Sequence, residues 1–226
     1  MLKPVLFTDL NSEENISYHV IEFSVEEAFF RRLLDEGLIV PDSLQNAVLK
    51  RKVEFLSGRY CAKNVLQKNW NFNGEQLGIG PNREPLFPDH ILGSISHSLS
   101  TAICVTACAK KHNAIGVDLE EILNKKSMKE IEGQVFCSQE KKMIGNDLLL
   151  ATAVFSLKEA YFKAIGPKLG KFFGFEAIEV LGIDLDANEI IFKELLAPSL
   201  PYIRPKVEQR AKLLRHNDHI GSLYLC

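Results

Sequence analysis

The stretch LGSISHSLSTAICVTACAKKHNAIGVDLEEI, residues 92–122, decides the fold class, because apolar and polar residues alternate along it with a period of two. Its segments 92–98, 101–109 and 114–122 predict three consecutive strands joined by short turns. Residues 24–37 and 41–70 have the spacing of helices, the first ended by Gly37 and the second begun near Asp42. Helices and consecutive strands in one chain indicate the α+β class rather than a doubly wound parallel sheet.

The order of elements occurs twice along the chain. Helical segments precede strands in the first part, and short helices at 127–136 and 138–145 with a longer one at 148–166 precede strands at 177–195 and 219–226. Ala187 and Asn188 have the composition of a hairpin turn. We therefore expect two α+β halves, residues 1–112 and 113–226, that meet near His112 and Asn113.

Composition excludes several classes of protein. A chain of 226 residues with 46% hydrophobic content supports a globular core, and its net charge of −2 gives no overall basic field to attract nucleic acid or anionic lipid. The first residues lack the pattern of a leader, and no run reaches the roughly 18 apolar residues of a membrane span, so we expect a cytoplasmic protein. Five scattered cysteines argue against a disulfide framework, and Cys104 and Cys108 are expected to be small buried hydrophobic residues.

The long helix of the second half carries charges beside its apolar stripe. At 100° per residue, Lys158 and Glu159 fall on the two flanks of the stripe formed by Leu148, Ala151, Phe155 and Phe162. One interpretation is a surface pair of Glu159 with Lys163, four residues on, with Lys158 extending to solvent. The other is that both flanking charges meet partners elsewhere in the fold, because unpaired burial costs several kcal/mol.

Two carboxylates share one face of the predicted strand 114–122. Alternation places Asp118 and Glu120 together, about 6.6 Å apart along the strand, and opposite the apolar residues. Both can approach one hard cation, and Glu159 is the obvious third ligand for a site of the Mg²⁺ kind. The alternative is that Asp118 and Glu120 lie on the solvent face of an edge strand.

Several cations have no obvious local partner. Arg59 lies inside the apolar stripe of the helix 41–70, with Arg51 at its border, so Arg59 requires either a phosphate or a distant acid. Arg83 lies in a loop rich in Gly and Pro, where both ligand binding and solvent exposure are plausible. His97 stands between serines, either as an ordinary strand residue or as a hydrogen-bond donor to a phosphate. No nucleotide, zinc or acyl-transfer motif is present, so acids for a metal and cations for a polyanion indicate phosphoryl transfer.

Five short motifs occur in the order and spacing of a known family. The chain resembles the 4′-phosphopantetheinyl transferases of the surfactin type, and within them the branch of enterobactin synthase component D. The segments that carry the resemblance are KVEFLSGRYCA (52–62), REPLFP (83–88), GSISHS (93–98), GVDLEEI (116–122) and FSLKEAYFKA (155–164). Phe155 stands where many members of the family have Trp. The resemblance covers residues 50–175.

The resemblance implies a role for each charged residue named above. It implies a pseudo-dimer of two similar α+β halves with coenzyme A in the cleft between them. The implied Mg²⁺ ligands are Asp118, Glu120 and Glu159. The implied contacts to the CoA phosphates are Ser96, His97, Lys158 and Lys163, and those to the adenosine-phosphate end are Arg51, Arg59 and Arg83. Glu159, directly or through a metal-bound water, is the expected base, and Lys158, Lys163 and His97 are expected to stabilise the phosphoryl group.

The reaction implied is transfer of the phosphopantetheine arm of CoA to a serine of an apo acyl, aryl or peptidyl carrier protein, with release of 3′,5′-ADP. The branch implies service to siderophore, other nonribosomal peptide or polyketide synthesis, by a monomer. Two alternatives stay open: a CoA-binding module without turnover, and a Mg²⁺-dependent phosphohydrolase that uses water in place of serine. The choice between Mg²⁺ and Mn²⁺ is open too.

Overall fold

The protein is described from a computed structural model over residues 16–170, 172–196, 201 and 207–226. Two antiparallel sheets confirm the α+β class. The first, in the order β1-β3-β2, consists of β1 (Ile16–Glu22), β2 (Ile91–Ser98) and β3 (Thr101–Cys108). The second, in the order β4-β8-β7-β6-β5, consists of β4 (Ile115–Glu121), β5 (Ile178–Asp184), β6 (Glu189–Glu194), β7 (Glu208–His216) and β8 (His219–Leu225).

The first sheet is covered by α1 (Glu27–Asp35) and α2 (Leu49–Trp70). The prediction that the second helix begins near Asp42 is wrong, because Asp42–Leu44 forms a short 3₁₀ turn and Val48 has extended backbone. Val48 is 73% exposed. Its side chain is therefore not packed in the core, and such packing does not stabilise a helical turn before Leu49. From Val53 to Leu66, by contrast, α2 is buried on most of its circumference.

The second sheet is covered by α5 (Leu148–Leu169), with α3 (Lys125–Val135) and α4 (Ser138–Ile144) packed beside it. The Asp147 side chain caps α5 by accepting hydrogen bonds from the first free amides, and Gly170 ends it at a positive φ of 61°. The predicted hairpin turn between β5 and β6 is present, with Asn188 in the left-handed region. Strand β7 was not predicted.

An apolar layer joins the two sheets. It is formed by residues that the two sheets contribute to one core: Val20, Ile103, Val105, Ala107, Ile115, Val117, Leu119, Leu214 and Leu223. The opposite face of β4 lies against α5, and a side chain at Gly116 would collide with the carbonyl oxygen of Ala160. Glycine therefore lets α5 approach the β4 backbone closely, and this approach brings the polar face of β4 next to the charged part of α5.

Three further expectations concerned membrane spans, the cysteines and the boundary between the two halves. Within the described ranges, no helix is both long and apolar enough to cross a bilayer; the expectation drawn from the first fifteen residues lies outside those ranges. Cys104 is fully buried as predicted, and burial raises the pKa of its thiol, whereas Cys108 at the end of β3 is only partly buried, contrary to the prediction. The boundary at 112/113 stays a prediction; β3 ends at Cys108 and β4 begins at Ile115.

Candidate active site between the two halves

A carboxylate, an ammonium and a hydroxyl form one hydrogen-bonded group where the two sheets meet. Lys163 Nζ of α5 lies 2.7 Å from Asp118 Oδ1 of β4 and 2.9 Å from Ser96 Oγ of β2. Ser96 Oγ also donates to Asp118 Oδ1 at 3.1 Å and accepts from the Leu119 amide at 3.2 Å. A hydroxyl has one proton to donate and two lone pairs that accept, so these contacts use the full hydrogen-bonding capacity of Ser96. Ser96 therefore orients Asp118 and Lys163 in this arrangement, and the expected contact of Ser96 with a CoA phosphate does not fit it.

Two further carboxylates, Glu120 and Glu159, lie close to this group, and their charges and that of Asp118 repel one another. Burial, followed by the charges of Asp118 and Glu159 and opposed by Lys163, raises the pKa of Glu120 to about 8. Burial, followed by the charge of Asp118, likewise raises the pKa of Glu159. The Glu159–Lys163 surface pair considered from the sequence does not form, because Lys163 binds Asp118 instead. One ammonium does not compensate three carboxylates, so the site favours additional positive charge.

The donor set fits a hard divalent cation by its chemistry. Asp118 Oδ2 is buried and has no hydrogen-bond partner, which is costly for a carboxylate oxygen unless a cation or water binds it. Glu120 and Glu159 add oxygen ligands nearby. Within the described part of the chain, however, no three acidic, histidine or cysteine side chains stand in a ready-made coordination arrangement. Binding of a metal would require these side chains to turn toward it.

His97 and Arg51 lie side by side next to this group. Arg51 Nη1 is 3.5 Å from His97 Nε2, and Glu54 of the same helix lies 3.9 Å from both Arg51 and Lys50. Burial lowers the pKa of His97; the charge of Glu54 opposes that change, whereas Arg51 and Lys163 reinforce it. The imidazole thus lies among cations and carboxylates of both halves, since the charge of Asp118 acts on it as well.

Arg59 is buried, as its place in the apolar stripe predicted. Its guanidinium lies 4.6 Å from the centre of the Phe55 ring and donates to the Gly78 carbonyl at 3.3 Å, but its Nε is buried without a partner. Burial lowers the pKa of Arg59 to about 10, so it stays charged at neutral pH. No carboxylate of the described residues pairs with Arg59. Arg59 lines a cavity of about 610 Å³ together with Lys63, so a small anion has both space and charge there.

Arg83 stands at the tip of a tight turn beside a cleft between the two halves. Its φ of 67° is unusual for arginine, and the turn is closed by hydrogen bonds from Arg83 N to Gly80 and from Gly80 N to Glu84. The cleft has a volume of about 700 Å³ and lies between the halves, lined on one side by Arg83 and Phe87 and on the other by Lys163 and Phe162. Arg51, Arg59 and His97 are not part of its lining.

Lys158 is not at this site, which corrects the expectation that it contacts CoA phosphates. Its side chain is 2% exposed and points into the second half, where Nζ lies 2.7 Å from Glu140 Oε2 and donates to the Val135 carbonyl at 2.7 Å. The other oxygen of Glu140 accepts from the Val180 amide at 2.9 Å. A fully paired, buried ammonium cannot reach a ligand in the cleft.

The sequence analysis recognised neither Glu140 as the partner of Lys158 nor Gly116 as the point where α5 approaches β4. Glu140 is the third residue of α4 and closes a capping box with Cys137, a pattern that is usually sought with Ser or Thr at the first position. Gly116 was assigned only to a strand face. Glycine is needed at this position because α5 packs closely on β4, and a single sequence does not indicate that packing.

Two family models match the chain, one on each side of the seam. Residues 38–107 match the 4′-phosphopantetheinyl transferase N-terminal domain, and residues 114–213 match the 4′-phosphopantetheinyl transferase superfamily. The fold of two α+β halves with an acidic and cationic site between them agrees with these matches. The chain belongs to the 4′-phosphopantetheinyl transferase superfamily.

Among its relatives are enterobactin synthase components D. The chain is 32% identical to that of Salmonella austin over 168 residues, which cover 73% of this chain and 68% of the relative. It is 32% identical to that of Salmonella typhi, with 67% and 63% covered, and 34% identical to that of Escherichia coli K12, with 54% and 58% covered. The chain thus spans about two thirds or less of the length of these three relatives.

Proposed function

We propose that this protein transfers the 4′-phosphopantetheine arm of coenzyme A to a serine of an apo carrier protein and releases 3′,5′-ADP. The observation that carries the proposal is the junction of Asp118, Lys163 and Ser96. Three elements from the two halves meet there, beside two further carboxylates and a cleft that also presents Arg83. This combination of buried acids and convergent cations suits a pyrophosphate under nucleophilic attack.

The chain's own cations would bind and orient the CoA phosphates. Lys163 reaches the cleft and would contact the phosphoryl group under attack, with His97 next to it. Arg83, and Arg51 beside His97, would hold the adenosine-phosphate end. Arg59 would receive a phosphate that enters the neighbouring cavity, since its Nε is the buried donor without a partner.

Mg²⁺ is the metal proposed, with Asp118, Glu120 and Glu159 as the residues that would hold it. When bound, it would offset the negative charge of the pyrophosphate and of the leaving 3′,5′-ADP. The free Oδ2 of Asp118 and the mutual repulsion of the carboxylates support this assignment. Comparing turnover with Mg²⁺ and Mn²⁺ at matched concentrations decides between the two ions.

Glu159 is the proposed base. The serine oxygen of the carrier forms a bond to the phosphorus that bears the pantetheine arm, the bond to the bridging pyrophosphate oxygen breaks, and the serine proton passes to a Glu159 oxygen. The raised pKa of Glu159 brings it nearer to the working pH, which favours proton transfer. The nucleophile belongs to the carrier, so this chain supplies none.

The carriers proposed are those of siderophore or other nonribosomal peptide or polyketide synthesis, because the relatives are enterobactin synthase components. The cleft is formed by two halves of one chain, so a monomer suffices, and CoA and apo carriers would be met in the cytoplasm.

Intact mass spectrometry of apo carriers tests the proposal. A carrier incubated with this protein, CoA and Mg²⁺ should gain about 340 Da, the mass of one phosphopantetheine arm transferred by metal-assisted phosphoryl chemistry. The gain should be lost without CoA, without the metal, or on a carrier whose acceptor serine is alanine. CoA binding with no gain on any carrier would favour a binding module, whereas 3′,5′-ADP release without a carrier would favour a phosphohydrolase.

A further inference from the structure

Three serines of β2 bridge the two sheets by a regular set of hydrogen bonds, here called the serine ladder. Each hydroxyl oxygen accepts one backbone N–H of β4. The rungs are Ser94 Oγ to Val117 N at 3.0 Å, Ser96 Oγ to Leu119 N at 3.2 Å and Ser98 Oγ to Glu121 N at 3.0 Å. Both strands advance two residues from rung to rung, so β2 and β4 run side by side in the same direction.

The serine ladder replaces a backbone ladder between the halves. β2 is hydrogen-bonded to β3 in the first sheet and β4 to β8 in the second, and the strand orders of the described residues do not pair β2 with β4. A hydroxyl in place of a carbonyl holds the two backbones farther apart while it still satisfies the β4 amides. The length of three serine side chains thus sets the spacing between the two sheets at this edge.

The middle rung belongs to the candidate active site. Ser96 is the hydroxyl that also binds Lys163 and Asp118, while Asp118 and Glu120 alternate with the bonded amides along β4. On the other strand, His97 lies between Ser96 and Ser98. Any slide or separation of β2 against β4 therefore changes the distance between His97 on one half and Asp118 on the other.

Apolar packing alone does not fix this register. The layer between the sheets is built of Val, Ile, Leu and Ala side chains, and hydrophobic attraction depends on buried area rather than on direction. Hydrogen bonds have narrow distance and angle ranges. The outer rungs, Ser94 and Ser98, supply directional contacts on both sides of the site. The His219 ring beside the Ser98 carbonyl, at 3.3 Å, adds a contact to β8.

We infer that Ser94 and Ser98 are positioning residues for phosphopantetheine transfer: their hydroxyls hold the carboxylate strand of the second half in register with the phosphate-binding residues of the first half. This inference rests on the proposed function. Neither residue belongs to the group of Asp118, Lys163 and Ser96: Ser94 borders the cleft, and Ser98 ends β2. Each acts through the β4 backbone, which carries Asp118 and Glu120.

Variants of the outer rungs test the inference in the full-length protein. Ser94→Ala, Ser98→Ala and the double variant remove hydroxyls without adding bulk; Ser94→Thr and Ser98→Thr keep a hydroxyl, and Ser100→Ala in the exposed turn after β2 is the control. Carrier modification is measured at 25 °C as kcat per CoA-binding site, so that unfolded protein does not count. Backbone hydrogen exchange of Val117 and Glu121 is followed by NMR.

The double variant should lose about 10- to 100-fold in kcat, since small displacements of positioned groups have effects of this size. Exchange of the Val117 and Glu121 amides should speed up while the β8 amides stay protected. The threonine variants should recover most of the rate, and Ser100→Ala should match wild type. Wild-type kcat in the double variant, or a loss in proportion to unfolding alone, would overturn the inference. Wild type that modifies no carrier would instead overturn the proposed function, while the exchange data would still report on the ladder.

Discussion

Lys158 and Glu159 are consecutive in α5, yet they belong to different environments. The Lys158 ammonium is 2.7 Å from Glu140 inside the second half, whereas the Glu159 carboxylate is close enough to Asp118 and Lys163 for their charges to change its pKa. Successive helical residues point about 100° apart, so Lys158 binds inside the second half while Glu159 lies beside Asp118 and Lys163.

Lys158→Met should lower the free energy of unfolding by about 3–5 kcal/mol, because it leaves the buried carboxylate of Glu140 without its cation. Urea denaturation measures this loss. Lys126→Met is the matched control, since Lys126 forms an exposed pair with Glu130 and its loss should stay within about 0.5 kcal/mol. The folded fraction of Lys158→Met should bind CoA with wild-type affinity. A large loss of CoA affinity in well-folded protein would return Lys158 to the binding site.

Glu159→Gln should bind CoA nearly normally but lose about 10²–10⁴ in turnover, the contribution of a positioned base. Because Glu159 is proposed both as base and as metal ligand, raising Mg²⁺ should recover little of the rate. Asp118→Asn should recover more, and Glu132→Gln on the exposed part of α3 should behave as wild type. Steady-state carrier modification at several Mg²⁺ concentrations provides the comparison. Near wild-type turnover of Glu159→Gln would show that the base has been misassigned.

Arg59→Ala should weaken CoA binding by roughly 1.5–3 kcal/mol, the scale of a hydrogen bond to a charged group. Dephospho-CoA should be affected less if the 3′-phosphate is the group that Arg59 holds. Isothermal calorimetry with both ligands makes the measurement, with exposed Arg31→Ala as the control. Equal affinities for wild type and Arg59→Ala would mean that the buried guanidinium serves the first half only structurally.

Gly116→Ala should separate α5 from β4, because the added methyl would collide with the backbone of Ala160 and Ala164. We expect a loss of stability of about 1–3 kcal/mol, as in overpacked cores, and a larger proportional loss of carrier modification, since Lys163 would move from Asp118. The control is Gly133→Ala in α3, which meets nothing within 4 Å and should stabilise the helix by about 0.5–1 kcal/mol. Thermal melts and activity of both variants, compared side by side, make the test; a fully active, equally stable Gly116→Ala would contradict the packing account.

Acid should destabilise the first half through His19. Its ring is buried 6.0 Å from Tyr60 with Nε2 unpartnered, and burial, with a smaller effect of Lys68, lowers the pKa of His19 from 6.5 to about 4. Between pH 6.5 and 4 the imidazole is therefore protonated in the unfolded chain but not in the folded chain. The free energy of unfolding falls as the pH decreases through this range, by roughly 3 kcal/mol from this residue. His19→Phe should flatten the pH dependence of urea denaturation in that range. The exposed His90→Gln should leave it unchanged; equal slopes for His19→Phe and wild type would contradict the assignment.

Local patterns predicted most of the fold but not the partners of charged residues. Alternation identified β2, β3 and β4, and the same alternation placed Asp118 and Glu120 on one face. The partner of Lys158 could not be predicted, because Glu140 lies 18 positions away and several acids satisfy the same composition. Ser96 was expected to contact a ligand, because the sequence does not reveal its partners on β4. Those partners depend on how the two sheets pack. Contacts between residues that are distant along the chain produce no periodic pattern in its sequence.

The apolar layer between the sheets has a consequence for how the chain can be divided. Each half contributes about half of that layer, so a chain cut in the exposed turn at Lys110 and Lys111 would yield two pieces that each present an uncovered apolar sheet face. Neither piece alone contains the whole candidate site. The first carries Arg51, Arg59 and Arg83, and the second carries the carboxylates Asp118, Glu120 and Glu159. Reassembly of the fragments and restoration of the site would then be a single event.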